Sequence, residues 1–404
     1  MERINIKKLI YEFMKVIISV GGRFHSFNLA QQLLKRDYLK KLITSYPKFE
    51  VVKYGIPKEK VKTVVLKEIL ERGWRKLPRF LKNIYNPQYL IHEIFDKLAA
   101  KKIEKADIFV GWASFSLNSF KKVKEFKMIK ILDEGSSHII FRRDIVKEEY
   151  EKFGVKPELP HPKLVEKELK EYEEADYICV SSLFAKKTFL DKGILENKII
   201  HIPYGVDLSN FQQIKKNDNV FRVIFAGGMT LRKGVHYLLQ AFSELNLPNS
   251  ELMLIGSYND EIKPFFKKYE GKFNWIGSIP QKELYKYYSQ GSVFVLNSIE
   301  DGFGMVIIQA MACGLPVIAT ENTGGLDIIR NGIDGFIIPI RSIEILKEKL
   351  YYLHRNPEIC RQMGESAKQR ASGSFSWDDY GDKIVKECQK IFALSEKNTK
   401  HNKL

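Results

Sequence analysis

Residues 296–316 read LNSIEDGFGMVIIQAMACGLP: an apolar strand end, an acidic loop, the run Gly302-Phe303-Gly304-Met305, and then an apolar helical pattern. Glycines at such a turn let a ligand approach bare backbone, and N–H groups at a helix start attract anions such as a diphosphate. Asp301 and Gln309 stand eight residues apart. That is about two helical turns, so one elongated ligand can reach both. Residues 225–242 (FAGGMTLRKGVHYLLQAF) carry Gly228 in a turn after a strand, followed by the adjacent cations Arg232 and Lys233. Fixed cations there suit a bound anion; alone, they would read as a surface pair. In the front half, Gly21-Gly22 follow a strand and precede a helix, and Gly135-Ser136-Ser137-His138 close another strand. His138 is the stronger imidazole candidate for a role in a site, and His25 the weaker.

These residues need elements to hold them. Residues 15–20 (KVIISV) read as a buried strand, and 26–35 as a helix. Residues 108–110, 129–132 and 177–181 continue as strands. The back half repeats the pattern, with strands expected at 221–225, 252–255, 293–296, 317–319 and 336–338 and a helix at 235–245. Strands alternating with helices imply parallel sheets with crossover connections. The expected class is α/β, two Rossmann-like domains facing across a cleft. Residues 1–204 would form the first domain and residues 205–376 the second. A helix at 377–394 would return to the first domain, and 395–404 would be a polar, disordered tail.

The chain resembles the large retaining glycosyltransferases of GT-B type, family 4, whose donor signature is a carboxylate, GFG, a second carboxylate eight residues after the first, and AMACG. Asp301 and Gln309 fall on the two carboxylate positions, both usually Glu; eight residues beyond Glu300 lies Ile308, so Glu300 does not fit the spacing. Asp301 keeps the charge on a shorter side chain, and Gln309 keeps the capacity to hydrogen-bond ribose hydroxyls. Residues 225–242 resemble the family's G-x-L-x-x-x-K-G unit. Lys233 takes the lysine position and Gly228 the usual arginine position, with Arg232 supplying the second cation. Thr323-Gly324-Gly325-Leu326-Asp327 resembles the G-G-x-x-E loop, residues 202–207 (IPYGVD) the interdomain segment, and Phe375-Ser376-Trp377 the start of the crossing helix.

The resemblance implies a transferase that retains configuration, moving a sugar from a nucleotide-sugar to a glycan or lipid-linked acceptor in surface polysaccharide biosynthesis, with residues 1–204 binding the acceptor and residues 205–376 the nucleotide-sugar. His138, Asp301, Arg232 and Lys233 would be its catalytic residues. Gly21, Gly22, Gly228, Arg232, Lys233, Asp301, Gly302, Phe303, Gly304, Met305 and Gln309 would bind the donor. Attack would come from the front face, with the leaving diphosphate taking the acceptor proton. No metal or other cofactor is expected, in keeping with the lack of a D-x-D on a strand-end loop. A sugar-nucleotide epimerase of the same fold is the enzyme alternative, although such enzymes usually lack the GFG and AMACG signature.

Composition narrows the rest. The 404 residues carry 66 Lys+Arg against 49 Asp+Glu, a net charge of +17. Residues 1–130 hold 29 basic and 12 acidic residues, which accounts for the whole excess. That asymmetry points to an anionic partner for one surface. A nucleic-acid-binding protein is the non-enzyme alternative, but no helix-turn-helix, zinc-finger, RNP or KH pattern is present. An anionic membrane fits better: residues 72–85 (RGWRKLPRFLKNIY) and 120–130 (FKKVKEFKMIK) interleave cations with apolar side chains. The four cysteines form no CxxC pair and read as reduced, buried thiols. With no long apolar run, the expectation is a cytoplasmic protein, peripheral at the inner face of the cell membrane.

Overall fold

Short apolar runs without alternation suit a parallel sheet covered on both faces, and both halves of the chain supply them. The computed structural model describes residues 14–78 and 86–401. The first sheet holds β1 (Val16–Val20), β2 (Leu39–Thr44), β3 (Val61–Thr63), β4 (Ile108–Trp112), β5 (Ile129–Glu134), β6 (Tyr177–Val180) and β7 (Ile199–His201). Their order is β3-β2-β1-β4-β5-β6-β7. The second sheet holds β8 (Phe221–Ala226), β9 (Ser250–Ile255), β10 (Asn274–Gly277), β11 (Val293–Leu296), β12 (Val317–Thr320) and β13 (Gly335–Ile338), ordered β10-β9-β8-β11-β12-β13. Every pairing is parallel. Strand order reverses between β1 and β4 and again between β8 and β11, and ligand crevices form at the carboxyl ends of strands at such switch points.

Helices that matter to the cleft are α1 (Ser26–Lys35), α2 (Leu66–Lys76), α3 (Leu117–Glu125), α4 (Ile139–Lys152), α5 (Pro162–Glu174), α6 (Leu183–Leu190), α7 (Val235–Leu245), α8 (Met305–Ala312) and α9 (Trp377–His401). The two-sheet architecture is the one expected, with β2, β3, β7 and β10 in addition. Lys40 and Lys41 break the apolar run of β2. They fit because their ammonium groups reach backbone carbonyls, Lys40 Nζ that of Lys105 at 2.5 Å and Lys41 Nζ that of Glu59 at 2.8 Å.

The domains are tied at the chain's crossing point. A Cβ on Gly205 would sit 2.6 Å from the Trp377 Cα, so only glycine lets the crossing segment pass there. The Val206 N–H donates to the Phe375 carbonyl at 2.8 Å. From Trp377, α9 returns to α1, where Lys35 meets Asp378 at 2.8 Å and Arg36 meets Asp382 at 2.5 Å. The helix runs to His401, past the expected end at 394 and into the segment expected to be disordered. Residues 395–400 (SEKNTK) hold no Gly or Pro, so nothing in them stops helix propagation.

The second basic stretch differs from its reading. Phe120, Val123, Met128 and Ile129 are buried in the core, so 120–130 presents its lysines with Glu125 and the half-buried Phe126 to solvent, not an interleaved apolar face. Of the first stretch, residues 79–85 lie outside the described residues. No helix among the described residues is long and apolar enough to cross a membrane. The four cysteines are buried free thiols, and burial pushes those of Cys313, Cys360 and Cys388 up to about 12.

Candidate active site in the interdomain cleft

On the second-domain side, β8 and β11 end beside each other and their loops wall a cavity of about 350 Å³. Gly227 and Gly228 line it from β8, and Asp301, Phe303, Gly304 and Met305 from the loop after β11. Gly304 has φ 75°, a conformation that glycine adopts without strain, and it turns the chain into α8. Gly234, at φ 68°, does the same for α7; a Cβ there would lie 2.1 Å from the Asn297 carbonyl oxygen. The Asn297 side chain fixes this approach by donating to the Gly234 carbonyl at 2.6 Å.

The two cations and the two carboxylates of the loop pair in order. Lys233 Nζ bonds Asp301 Oδ2 at the cavity wall. Arg232 Nη1 lies 2.9 Å from Glu300 Oε2 and 3.1 Å from the Glu300 carbonyl. Glu300 is fully buried, and its Oε1 accepts from the hydroxyls of Ser136 and Ser137 of the first domain, both at 2.8 Å. Burial alone would raise its pKa, but Arg232, Arg142 and the two serines outweigh it and hold the carboxyl at about 2. Glu300 therefore joins the domains. The eight-residue spacing passed over it; the signal that finds it is the match of Glu300-Asp301 to the adjacent cations Arg232-Lys233.

Gly302 makes a further contact between the domains. A Cβ on it would meet the Gly135 carbonyl at 2.2 Å and the Ser136 Cα at 2.7 Å. The Ser182 hydroxyl donates to its carbonyl at 2.6 Å. Phe303 packs edge-on to Tyr204, ring centroids 5.4 Å apart. Asp327, the last residue of the segment resembling the G-G-x-x-E loop, accepts from the Leu183 N–H at 2.9 Å and stands 2.8 Å from His201 Nε2, a further tie between domains. Gln309 is buried on α8, one turn beyond Met305, and lines neither this cavity nor the one across the cleft. Gly21 and Gly22 lie apart from the 350 Å³ cavity as well, Gly21 under the Phe115 ring and Gly22 beside that of Phe24.

On the first-domain side, the loops after β1, β4 and β5 enclose about 860 Å³. The two histidines are placed differently from their expected ranking. His138 is outside the cavity lining: it caps α4, its Nδ1 accepting from the Ile140 N–H at 3.2 Å, and its ring packs against Tyr172 and Phe189. Burial, with Lys192 and Arg142 nearby, lowers its pKa to about 4 and keeps it neutral. His25 lines the cavity instead. Its Nε2 stands 3.0 Å from Asp133 Oδ1, too oblique for an aligned hydrogen bond, and its ring lies 4.0 Å from that of Tyr204 and 4.9 Å from that of Trp112.

Deeper in the same wall, Glu134 and Glu168 share partners. The Tyr172 hydroxyl lies 3.0 Å from Glu134 Oε2 and 3.2 Å from Glu168 Oε2, and Arg142 lies 3.7 Å from Glu134 and 3.6 Å from Glu168. Burial and the neighbouring Glu168 carboxylate push Glu134 up to about 8. A carboxyl kept neutral in this way can donate as well as accept, which suits a polyhydroxylated ligand. The two cavities meet at Gly135, Tyr204 and Met305. Chemically, the cleft offers Lys233 and glycine backbone on one side, with aromatic rings and carboxyls on the other, while Arg232 lines neither cavity and is held by Glu300.

Residues 207–370 match the family model of glycosyl transferases group 1. The chain is 31% identical over 217 residues to an uncharacterized glycosyltransferase of Methanocaldococcus jannaschii, covering 53% of this chain and 58% of that one. It is 28% identical over 224 residues to the capsular polysaccharide biosynthesis glycosyltransferase CapM of Staphylococcus aureus, covering 50% and 58%. The chain thus spans little more than half the length of these relatives. Among solved structures, the sucrose-phosphate synthase of Thermosynechococcus elongatus superposes with a TM-score of 0.70 at 17% identity, covering 94% of this chain and all of that one. Anabaena HepE in complex with UDP superposes with a TM-score of 0.67 at 15% identity, covering 93% and 100%. The architecture is accordingly GT-B, two Rossmann-like domains about a cleft.

Proposed function

We propose that the protein is a glycosyltransferase that moves a sugar from a nucleoside-diphosphate sugar in the second-domain cavity to a glycan or lipid-linked acceptor in the first-domain cavity, as in surface polysaccharide assembly. The observation that carries this reading is the Lys233–Asp301 pair on a wall of glycine backbone at the start of α8. A diphosphate arriving there takes Lys233 and Arg232 as counter-ions, and the first N–H groups of α8, without intrahelical acceptors, face the same charge. Asp301, released from Lys233, is left to accept from a hydroxyl of the sugar.

The acceptor oxygen then bonds to the anomeric carbon as the bond to the diphosphate breaks. The diphosphate leaves with the electron pair and takes up the acceptor proton, and configuration is retained. Lys233 and Arg232 stabilise the departing charge, which is the main electrostatic demand of the step. Contact between the domains through Glu300 and Gly302 keeps water from the donor. The enzyme acts without a metal ion, at the inner face of the cell membrane.

UDP, GDP and ADP titrated calorimetrically into the protein identify the nucleotide. The one that binds is then titrated into Lys233→Ala and Asp301→Asn. Loss of a charge-assisted contact predicts binding about tenfold to a hundredfold weaker in Lys233→Ala. Asp301→Asn keeps nucleotide binding and loses transfer. Unchanged affinity in Lys233→Ala would refute the assignment of the donor cavity, and an inverted product anomer would refute retention.

A further inference from the structure

The first-domain cavity is lined by the carboxyls of Glu71, Asp133, Glu134, Glu168 and Asp207. All but one are provided for by the protein or by water. Glu71 bonds Lys67 through Oε2 and Arg75 through Oε1. Glu134 Oε1 accepts from the Ser136 N–H at 3.1 Å, and Glu168 Oε1 accepts from the Ser114 hydroxyl. The Tyr172 hydroxyl lies between their Oε2 atoms. Asp207 is exposed, so water reaches the oxygen that the Ser209 N–H does not.

Asp133 differs. It is 2% exposed. Its Oδ1 stands 3.0 Å from His25 Nε2 and 3.5 Å from the Tyr204 hydroxyl, whereas its Oδ2 has no hydrogen-bond partner among the described residues. The cations that line this cavity are engaged elsewhere: Lys67 with Glu71, Arg142 with Glu134 and Glu168, and Arg23 with the Tyr54 hydroxyl. Burying a carboxylate is costly unless donors reach its oxygens. The open oxygen of Asp133 therefore marks where a donor from a ligand belongs.

Its position suits an acceptor. Asp133 stands at the carboxyl end of β5, two residues before Gly135, and Gly135 and Tyr204 line the donor cavity as well. The rings of His25, Tyr204 and Trp112 beside it offer flat apolar faces to a sugar ring. In the transfer step the reacting hydroxyl gives its proton to the departing diphosphate. A hydroxyl has one hydrogen to donate, so the hydroxyl that donates to Asp133 is a different one.

We propose that Asp133 Oδ2 receives a second, non-reacting hydroxyl of the acceptor sugar and so decides which hydroxyl of that sugar faces the donor. The acceptor then carries a free hydroxyl beside the one that reacts, and a ring in which that neighbour is missing or acylated is refused. His25 is a positioning residue here, holding Oδ1 while its own ring lies against Tyr204. This rests on the reading of the first-domain cavity as the acceptor site.

The test uses the full-length protein saturated with UDP. Methyl glycosides of glucose, galactose, mannose and N-acetylglucosamine are titrated by ligand-observed NMR, and the tightest binder is then replaced by its monodeoxy analogues. One analogue binds wild type about tenfold weaker or worse, as expected for a lost hydrogen bond to a charged group. Asp133→Asn shows a similar loss with the parent glycoside, binds that analogue no worse than the parent, and keeps its UDP affinity. Equal affinity of wild type and Asp133→Asn for the parent overturns the proposal. So does a deoxy series without a step, or a panel of which no member binds. Should Asp133→Asn fail to fold, the deoxy series on wild type still decides. A glycoside that binds without UDP and is displaced by it occupies the donor cavity, which refutes the acceptor reading and the proposal with it. If wild type does not bind UDP, the donor reading fails separately, and the glycoside titrations still decide the role of Asp133.

Discussion

Glu300→Gln removes one charge from the contact between the domains, keeps its size, and replaces one of the two acceptor oxygens with an amide donor. The Glu300 carboxyl is held at about 2 rather than its ordinary 4.5, against burial that would raise it. At roughly 1.4 kcal/mol per pH unit, that drop corresponds to about 3 kcal/mol favouring the charged form in the folded protein. Because the folded value lies below the unfolded one, the stabilisation is complete above about pH 4.5 and is lost as pH falls toward 2. At pH 7 the variant also leaves Arg232 and Arg142 without their shared carboxylate, the kind of loss that costs several kcal/mol in a buried pair. Urea unfolding at pH 7, followed by fluorescence, should show the variant about 3 kcal/mol less stable in the transition that separates the domains. The gap should narrow below pH 4. A variant within about 0.5 kcal/mol of wild type at pH 7 would refute the view that Glu300 bridges the domains as an ion.

The two histidines separate by phenotype. His25→Ala should lower transfer at least tenfold with nucleotide affinity unchanged, whereas His138→Ala should cost about 1 kcal/mol of stability through the lost helix cap and leave the pH profile of activity in place; assays of transfer and of thermal unfolding on both variants check this. Chelation with EDTA should leave transfer intact, and complete loss restored by manganese would contradict a clamp made of Arg232 and Lys233 alone. Anionic vesicles should sediment the protein, and Arg75→Glu/Lys76→Glu should release it; equal sedimentation of the two would remove α2 as the membrane-facing element.

The residues legible in the sequence are those whose geometry is local. Asp301 and Gly304 sit on one turn, and Lys233 lies within a residue of the glycine that starts α7, so spacing alone brings them to a strand end. Glu300 is different: its partners Ser136 and Ser137 lie more than 160 residues away, and no spacing rule reports a contact between domains. His138 shows a misread local signal. It directly precedes the apolar pair Ile139-Ile140 that begins α4, the position where a side chain turns back to cap backbone N–H groups. His25 stands in the loop between β1 and α1 with no cap to make by its side chain, and there the ring is left for the cavity. Gln309 fits the eight-residue spacing, yet α8 is buried on nearly every side, and a side chain one turn in points to packing rather than to the cavity.

The charge of the front third takes its meaning only from this placement. An excess of +17 in residues 1–130 suggests one basic surface, but several of those cations are spent within the fold. Lys40 and Lys41 serve backbone carbonyls, and Lys67 closes a pair of carboxylates. The lysines of 120–130 surround an apolar set that belongs to the core. What lines the groove beyond the first-domain cavity is Arg23, Arg72 and Arg75 with Lys67, Glu68 and Glu71, and the two carboxylates pair with the arginines of α2. The net excess of the front third is therefore divided among carbonyl contacts, ion pairs and scattered solvent-facing lysines, which is why a count of charges along the sequence does not locate one basic face.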